Sequence, residues 1–259
     1  MKFAPGAWRY AIVPLVVAPF AYLISVGVGI ATLLLGVGTL AFFRDPERTP
    51  PLSGVVAPAD GKVSVVRTEG DRFRLGTFMN VHNVHVVRAP FDATVRDVEH
   101  SPGGFKPAFS KDSDRNEKVH LHLEPAEGAF SEGGLSEGAL SEGALSEEAF
   151  SEGDDQSPEP GLDETGGQAM EAEVTFIAGA FARRIHPYVE PGDSLDRGQR
   201  IGHIAFGSRV DVVFPPSVDP EELAVEPGQK MTAGETVILE TDGNLLSGND
   251  GLDVDGSEP

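Results

Sequence analysis

The sequence predicts a mainly β domain behind an N-terminal helical hairpin that enters a membrane. Three observations carry this. Residues 10–43 run without a charged side chain. From Val55 onward the chain breaks into short β-branched runs, separated by turns rich in Gly, Pro, Asn and Asp. The net charge of −21 is concentrated in segments that cannot bury a core.

The apolar run extends from Tyr10 to Phe43. A membrane-spanning helix needs about 20 apolar residues, so the run is too long for one helix and short for two full ones. Gly27 and Gly29 lie near its middle, which predicts a tight hairpin of two short spans or a re-entrant loop. Lys2 and Arg9 precede it, and Arg44 and Arg48 follow. Positive residues on both flanks predict that both ends lie on the cytoplasmic side. A cleaved signal peptide fits less well, because the run exceeds a usual signal core and lacks a clear cleavage pattern. Residues 1–43 are therefore assigned as the anchor.

A linker follows in Arg44-Asp45-Pro46-Glu47-Arg48-Thr49-Pro50-Pro51, whose three prolines forbid helix continuation. Strands are expected at Gly61–Val66, Val84–Val87, Thr94–Val98 and Lys118–Leu123. They resume at Glu173–Gly179, with a short helix or turn around 182–185. Further strands are expected at Arg200–Phe206 and Val210–Pro215, with a turn and closing strand over 229–239. The domain thus has a first part, 44–125, and a second, 173–241. Between them, 126–172 is an acidic insert built on a five-residue Leu/Phe-Ser-Glu-Gly repeat that matches neither helical nor strand periodicity. Residues 242–259 form an acidic, Gly- and Asp-rich tail.

Composition narrows the chemistry. Without cysteine there is no disulfide framework, thiolate metal site or cysteine nucleophile. Residues 124–173 hold 15 acidic side chains and the stretch after Lys230 holds seven, so the rest is close to neutral. Acidic segments and only six lysines are compatible with a high-salt cytoplasm. No basic cluster points to nucleic acid as a partner.

The dipeptide Gly207-Ser208 has a reaction available to it. A serine hydroxyl can attack the preceding carbonyl, and glycine leaves that approach open. The resulting ester can eliminate to dehydroalanine, which hydrolyses to a pyruvoyl group. Alone, Gly-Ser usually marks an ordinary turn.

Four pieces give it weight. Phe42-Phe43-Arg44-Asp45-Pro46-Glu47-Arg48 follows the apolar run, and Ala57-Pro58-Ala59-Asp60-Gly61-Lys62-Val63 comes next. Then come Asn80-Val81-His82-Asn83-Val84-His85-Val86-Val87-Arg88-Ala89-Pro90 and Gly202-His203-Ile204-Ala205-Phe206-Gly207-Ser208-Arg209-Val210-Asp211. In this order they resemble the short, membrane-bound form of the phosphatidylserine decarboxylase family, including archaetidylserine decarboxylases. The resemblance covers roughly residues 40–123 and 173–240, and the acidic repeat interrupts it as an insertion.

The resemblance implies a sandwich- or barrel-like catalytic domain of duplicated β-hybrid type. It implies self-cleavage between Gly207 and Ser208, giving a β chain that ends at 207 and an associated α chain that begins at the pyruvoyl group. That covalent group would form a Schiff base with the serine head group of a membrane phospholipid and draw electrons as CO₂ leaves, with no need of pyridoxal phosphate or a metal. It implies a processing triad of Asp60, His85 and Ser208, and His82 as a second histidine of the site. Such a triad is chemically apt: an imidazole activates the hydroxyl and a carboxylate fixes its tautomer. On a strand, His82 and His85 point to opposite faces, so both reach one pocket only if the chain turns at Asn83. Arg44 or Arg48 is a candidate for the lipid phosphate. The expected location is the cell membrane, with the catalytic domain on the cytoplasmic side.

Two other readings compete. His82, His85, His120, His122 and Asp60 could supply zinc to a membrane-anchored hydrolase, Val119-His120-Leu121-His122-Leu123 being similar to the His-x-His strand of lysostaphin-type peptidases. A non-enzymatic, membrane-tethered β scaffold is the third. Arg209 and Asp211 could also be only a cross-strand ion pair.

Overall fold

The computed structural model describes residues 2–104, 106, 115–130, 171–179, 184–205 and 208–241. The acidic repeat, the tail, Gly207 and the turn expected at 182–183 lie outside these residues.

Two helices open the chain, α1 (Ala7–Ile24) and α2 (Val26–Phe42), joined at Ser25. At about 1.5 Å per residue each leg is roughly 26 Å long, slightly less than a hydrocarbon core of about 30 Å. Of the described helices, α1 is the one long and apolar enough to cross a membrane by length and composition. The break falls at the extended residue Ser25. The glycines instead serve the contact between the legs. A Cβ on Gly29 would stand 2.5 Å from Tyr22 Cα, and one on Gly36 would stand 2.6 Å from Leu15 Cδ2. The outward side chains of both legs, among them Val13, Phe20, Leu34 and Leu35, are exposed, as lipid-facing residues must be.

Among the described residues the remainder is mainly β, with a short 3-10 turn at Pro220–Glu222, and every pairing between named strands is antiparallel. In chain order the strands are β1 (Lys2–Phe3), β2 (Arg44–Asp45), β3 (Val55–Val56), β4 (Gly61–Glu69), β5 (Arg72–Met79), β6 (Val86–Arg88), β7 (Ala93–Ser101) and β8 (Lys118–Pro125). Then follow β9 (Ala172–Ala178), β10 (Ile185–Pro187), β11 (Ser194–Leu195), β12 (Arg200–Ile204), β13 (Ser208–Phe214), β14 (Lys230–Met231) and β15 (Val237–Leu239). Eight form one large sheet in the order β11-β7-β8-β9-β13-β5-β4-β14. A three-stranded sheet, β10-β12-β6, packs against it, and β15-β3 and β1-β2 form two small ribbons. This is the expected mainly β sandwich behind a helical hairpin.

The core lies between the sheets. Phe73, Leu75, Leu121, Phe176, Val210, Val212 and Phe214 of the large sheet join Val87, Ile201 and Ile204 of the small one in a single buried cluster. Strict alternation along β8 places Val119, Leu121 and Leu123 inside, with His120 and His122 between them. The central strand β13 is buried on both faces. Gly202 lets the sheets close, since a Cβ there would lie 2.5 Å from Phe176 Cε2 and 2.7 Å from the His186 carbonyl oxygen.

The strand β5 went unassigned in the sequence, although it lies beside β13. Its burial alternates only in part, and Thr77 is the one β-branched residue among its eight. The predicted strand at 84–87 begins two residues later, because a turn over Asn80–Asn83 delays it. Asn83 N–H donates to the Asn80 carbonyl (2.9 Å), and Asn80 N–H donates to Asn83 Oδ1 (2.8 Å). The single closing strand expected at 229–239 is two short strands in different sheets, β14 and β15.

The proline linker is fastened rather than free. Asp45 is buried and receives Arg88 Nη2 at 3.3 Å and Arg200 Nε at 2.5 Å. Phe42, Phe43 and Ala7 of the hairpin's foot pack with Val84, Val86 and Ala205 in a second buried cluster.

Candidate active site

Two chain crossovers build the site. One leaves the large sheet at Met79, the end of β5, and enters the small sheet at Val86, the start of β6. The other leaves the small sheet at Ile204, the end of β12, and enters the large one at Ser208, the start of β13. Because β5 neighbours β13 and β6 neighbours β12, the crossovers run side by side. Ser208 is paired with Met79 at one end, and His203 with Val86 at the other. Between them, Ile204 N–H donates to the His85 carbonyl (3.1 Å). The first crossover carries His82 and His85. The second carries the Gly207-Ser208 bond.

Ser208 is fully buried, and its hydroxyl donates to Met79 Sδ at 3.1 Å. Sulfur is a weak acceptor, so this contact competes poorly with other uses of the hydroxyl. Two residues back along β5, and therefore on the same face, Thr77 is buried with Oγ1 lacking a hydrogen-bond partner among the described residues.

His85 is 3% exposed and lies against the Phe42 ring, with ring centroids 4.3 Å apart. Its Nδ1 is 3.0 Å from the Asn83 carbonyl. A carbonyl can only accept, so Nδ1 carries the proton and Nε2 keeps its lone pair. Burial pushes the imidazole down to about 4, against the pull of the Asn83 carbonyl, and the charges of Arg44 and His82 add to the depression. At neutral pH this histidine is uncharged. His203 is likewise held down to about 4 by burial, with His186 and His85 adding to it, and its Nδ1 lies 2.7 Å from the Tyr188 hydroxyl.

The other predicted residues stand as follows. The Asn80–Asn83 turn separates His82 from His85, leaving His82 exposed at the turn and His85 buried. Asp60 immediately precedes β4, and a Cβ on its neighbour Gly61 would fall 2.2 Å from the Phe78 carbonyl oxygen. This puts Asp60 at the Ser208 end of the sheet, one strand beyond β5. Its carboxylate accepts from Arg48 Nη2 (3.0 and 3.2 Å) and from Ala233 N–H (2.8 Å). Arg48 also reaches Glu235 at 3.2 Å. Arg44 donates to the carbonyls of Ala41 (2.7 Å) and His82 (2.6 Å), tying the hairpin's foot to the histidine turn.

The set considered for zinc is not brought together. His120 pairs with Glu173 at 2.6 Å and His122 with Glu171 at 3.2 Å. Among the described residues no three His, Asp or Glu side chains gather in a metal-holding group.

Arg209 and Asp211 lie two apart on β13, so they share a face and pair within one strand, Nε to Oδ1 at 2.8 Å. Arg74 of β5 adds a cross-strand contact to Asp211 at 3.1 Å.

A family model described as phosphatidylserine decarboxylase matches residues 38–134 and 162–239. The chain belongs to the phosphatidylserine decarboxylase family. A Halobacterium salinarum protein provisionally named an archaetidylserine decarboxylase proenzyme is 43% identical over 235 residues, covering 90% of this chain and 96% of the relative. A Streptomyces griseus phosphatidylserine decarboxylase proenzyme is 40% identical over 212 residues, covering 82% and 78%. The chain is therefore an enzyme, a decarboxylase of this family made as a proenzyme. Its apolar hairpin is the element that associates with the membrane. Met79, Thr77 and Phe42 were not picked out as site residues in the sequence. Each is an ordinary core residue by type, and its place at the site follows from strand register or packing.

Proposed function

We propose that the chain cleaves itself between Gly207 and Ser208 and then decarboxylates a serine phospholipid, archaetidylserine or phosphatidylserine, to the ethanolamine lipid. The observation that supports this is the contact between the two crossovers: Ile204 N–H donates to the His85 carbonyl and Ser208 pairs with Met79, so the chain segments that carry His85 and the buried Ser208 are neighbours. The relatives' names support the substrate class.

In processing, His85 takes the Ser208 proton through Nε2 while the Asn83 carbonyl holds Nδ1–H. The serine oxygen attacks the Gly207 carbonyl, and the C–N bond breaks to give an ester. Loss of the α-proton then expels the Gly207 carboxylate, which becomes the end of the β chain. Water converts the dehydroalanine left on residue 208 to a ketone, and ammonia departs. An imidazole near 4 is a weak base, which suffices for a reaction each molecule performs once. The Asp60 carboxylate is assigned as the third member of the triad, engaged with Arg48 before cleavage.

The burial of Ser208 and the unpartnered Thr77 hydroxyl fit a carbonyl group at position 208, because a dry site with a spare donor favours a polarised oxygen. The pyruvoyl group, when formed, supplies the electron sink that accepts the pair released with CO₂. The chain's own residues do the rest. His82, exposed at the turn, delivers the proton to the former α-carbon. Arg44 or Arg48, flanking the membrane run, is the candidate for the lipid phosphate. The α and β chains stay associated because β13, which begins the α chain, is hydrogen-bonded between β9 and β5 of the β chain. The basic flanks of the hairpin support the cytoplasmic side for this domain.

The test is CO₂ release by the protein in lipid nanodiscs carrying either serine lipid. The wild type is expected to release CO₂ and leave the ethanolamine lipid. Ser208→Ala and His85→Ala are expected to release none, because neither is processed. Activity of an uncleaved Ser208→Ala chain would refute the mechanism.

A further inference from the structure

We infer that Phe42 and Arg44, at the foot of the membrane hairpin, are positioning residues for His85, so that the anchor is a working part of the processing site. The inference rests on the reading of His85 as the base for Ser208.

Three contacts carry it. The Phe42 ring covers the His85 imidazole at 4.3 Å between centroids, tilted by 35°. Arg44 Nη2 holds the His82 carbonyl at 2.6 Å, while its Nη1 holds the Ala41 carbonyl at 2.7 Å. One side chain thus staples the last turn of α2 to the turn that aims both histidines. The third contact is the shared buried cluster. It unites Phe42 and Phe43 with Val84 and Val86 on one crossover and with Ala205 on the other, three residues before Ser208.

A tether needs none of this. A hairpin that only held the domain near lipid would end in a flexible, solvated linker, with its last turn free of the catalytic segments. Here the last turn of α2 supplies one wall of the imidazole's pocket, and Arg44 supplies the hydrogen bond that fixes the turn's height. Both act on His85.

The electrostatics follow from the same packing. Around the imidazole, Arg44 at the hairpin's foot and His82 on its own turn disfavour its charge, and His85 in turn disfavours charge on His203 of β12. The Asn83 carbonyl favours it. Burial, to which Phe42 contributes, is the largest effect. Taking Phe42 away admits water, and the ring moves back toward an ordinary histidine.

The test follows self-cleavage of full-length precursor, pulse-labelled by cell-free synthesis into lipid vesicles and shifted to buffers from pH 4 to 8. The wild-type rate is expected to hold down to about pH 4, where His85 gains its proton. In Phe42→Ala the acid limb should move up toward an ordinary imidazole value of about 6.5, a loss of up to about 30-fold at pH 5. Phe42→Leu, which keeps the apolar cover, should restore the wild-type limb. Arg44→Gln should slow cleavage at every pH by loosening the turn, and should also raise the limb slightly by removing a positive charge. Leu34→Ala, on the lipid-facing side of α2, should match the wild type. A Phe42→Ala chain that cleaves with the wild-type profile overturns the inference. If that variant fails to fold, Arg44→Gln decides, and wild-type behaviour there overturns it equally. His85→Ala cleaving at the wild-type rate removes the base assignment and the inference together. Loss of cleavage in His85→Ala with normal profiles for Phe42→Ala and Arg44→Gln removes the inference alone.

Discussion

At the scale of single residues, Asp211 shows how the central strand tolerates charge. It is fully buried and shared between Arg209 on its own strand and Arg74 across the ladder. Arg74 is held in turn by Glu69, at 2.9 Å. Removing one member of such a group leaves buried charge uncompensated, which costs about 3–5 kcal/mol. Asp211→Asn is therefore expected to lower the midpoint of urea unfolding with little change in slope. An unchanged midpoint would mean that water reaches the network. At this scale Asp60, His85 and Ser208 were singled out by the motifs they sit in, and their roles remain the proposal made above. Phe42 and Thr77 did not stand out, because a phenylalanine or threonine is common in any core and its meaning here lies in what it faces. The role of the Asn83 carbonyl was illegible for a stronger reason: a backbone acceptor leaves no mark in residue type.

At the scale of elements, strands rich in β-branched residues read well, β12 and the doubly buried β13 included, and β5, which has one such residue, did not. β8 alternates, and its residues were assigned correctly. β5 was missed because Thr77 is its one β-branched residue and Gly76 lies beside it; a Cβ on Gly76 would stand 2.8 Å from Asp211 Oδ1, which is why glycine is needed. The same logic applies to Gly202 on β12. Gly202→Ala would press a methyl group into the Phe176 ring and the His186 carbonyl, and overpacking of this kind costs about 1–3 kcal/mol. A fall in the thermal midpoint is expected. Its absence would show that β12 and the large sheet can separate slightly without penalty. The hairpin was predicted in outline, but the break expected near Gly27 and Gly29 falls at Ser25, which no composition rule singles out. Gly29 is instead a packing position against Tyr22.

At the scale of the whole molecule, a membrane element and a two-sheet domain meet in one place, the paired crossovers. The sequence could supply the order of parts but not that meeting, because crossover adjacency depends on strands far apart in the chain: Met79 beside Ser208, and Val86 beside His203. The basic flanks predict that the hairpin's two ends share the cytoplasmic side. The natural absence of cysteine allows a direct check. With Arg9→Cys in right-side-out vesicles, an impermeant maleimide should label only after the vesicles are opened. Labelling of sealed vesicles would place the domain on the other side.

The central claim is that this chain makes its own electrophile at residue 208. The most direct test is the intact mass of the purified wild-type protein beside Ser208→Ala. The account predicts two wild-type fragments, one ending at Gly207 and one whose first residue is serine altered by loss of ammonia, so that its amino terminus resists Edman degradation. It predicts a single full-length mass for the alanine variant. A wild-type chain that stays whole, or a cut fragment that begins with an ordinary serine, would contradict it.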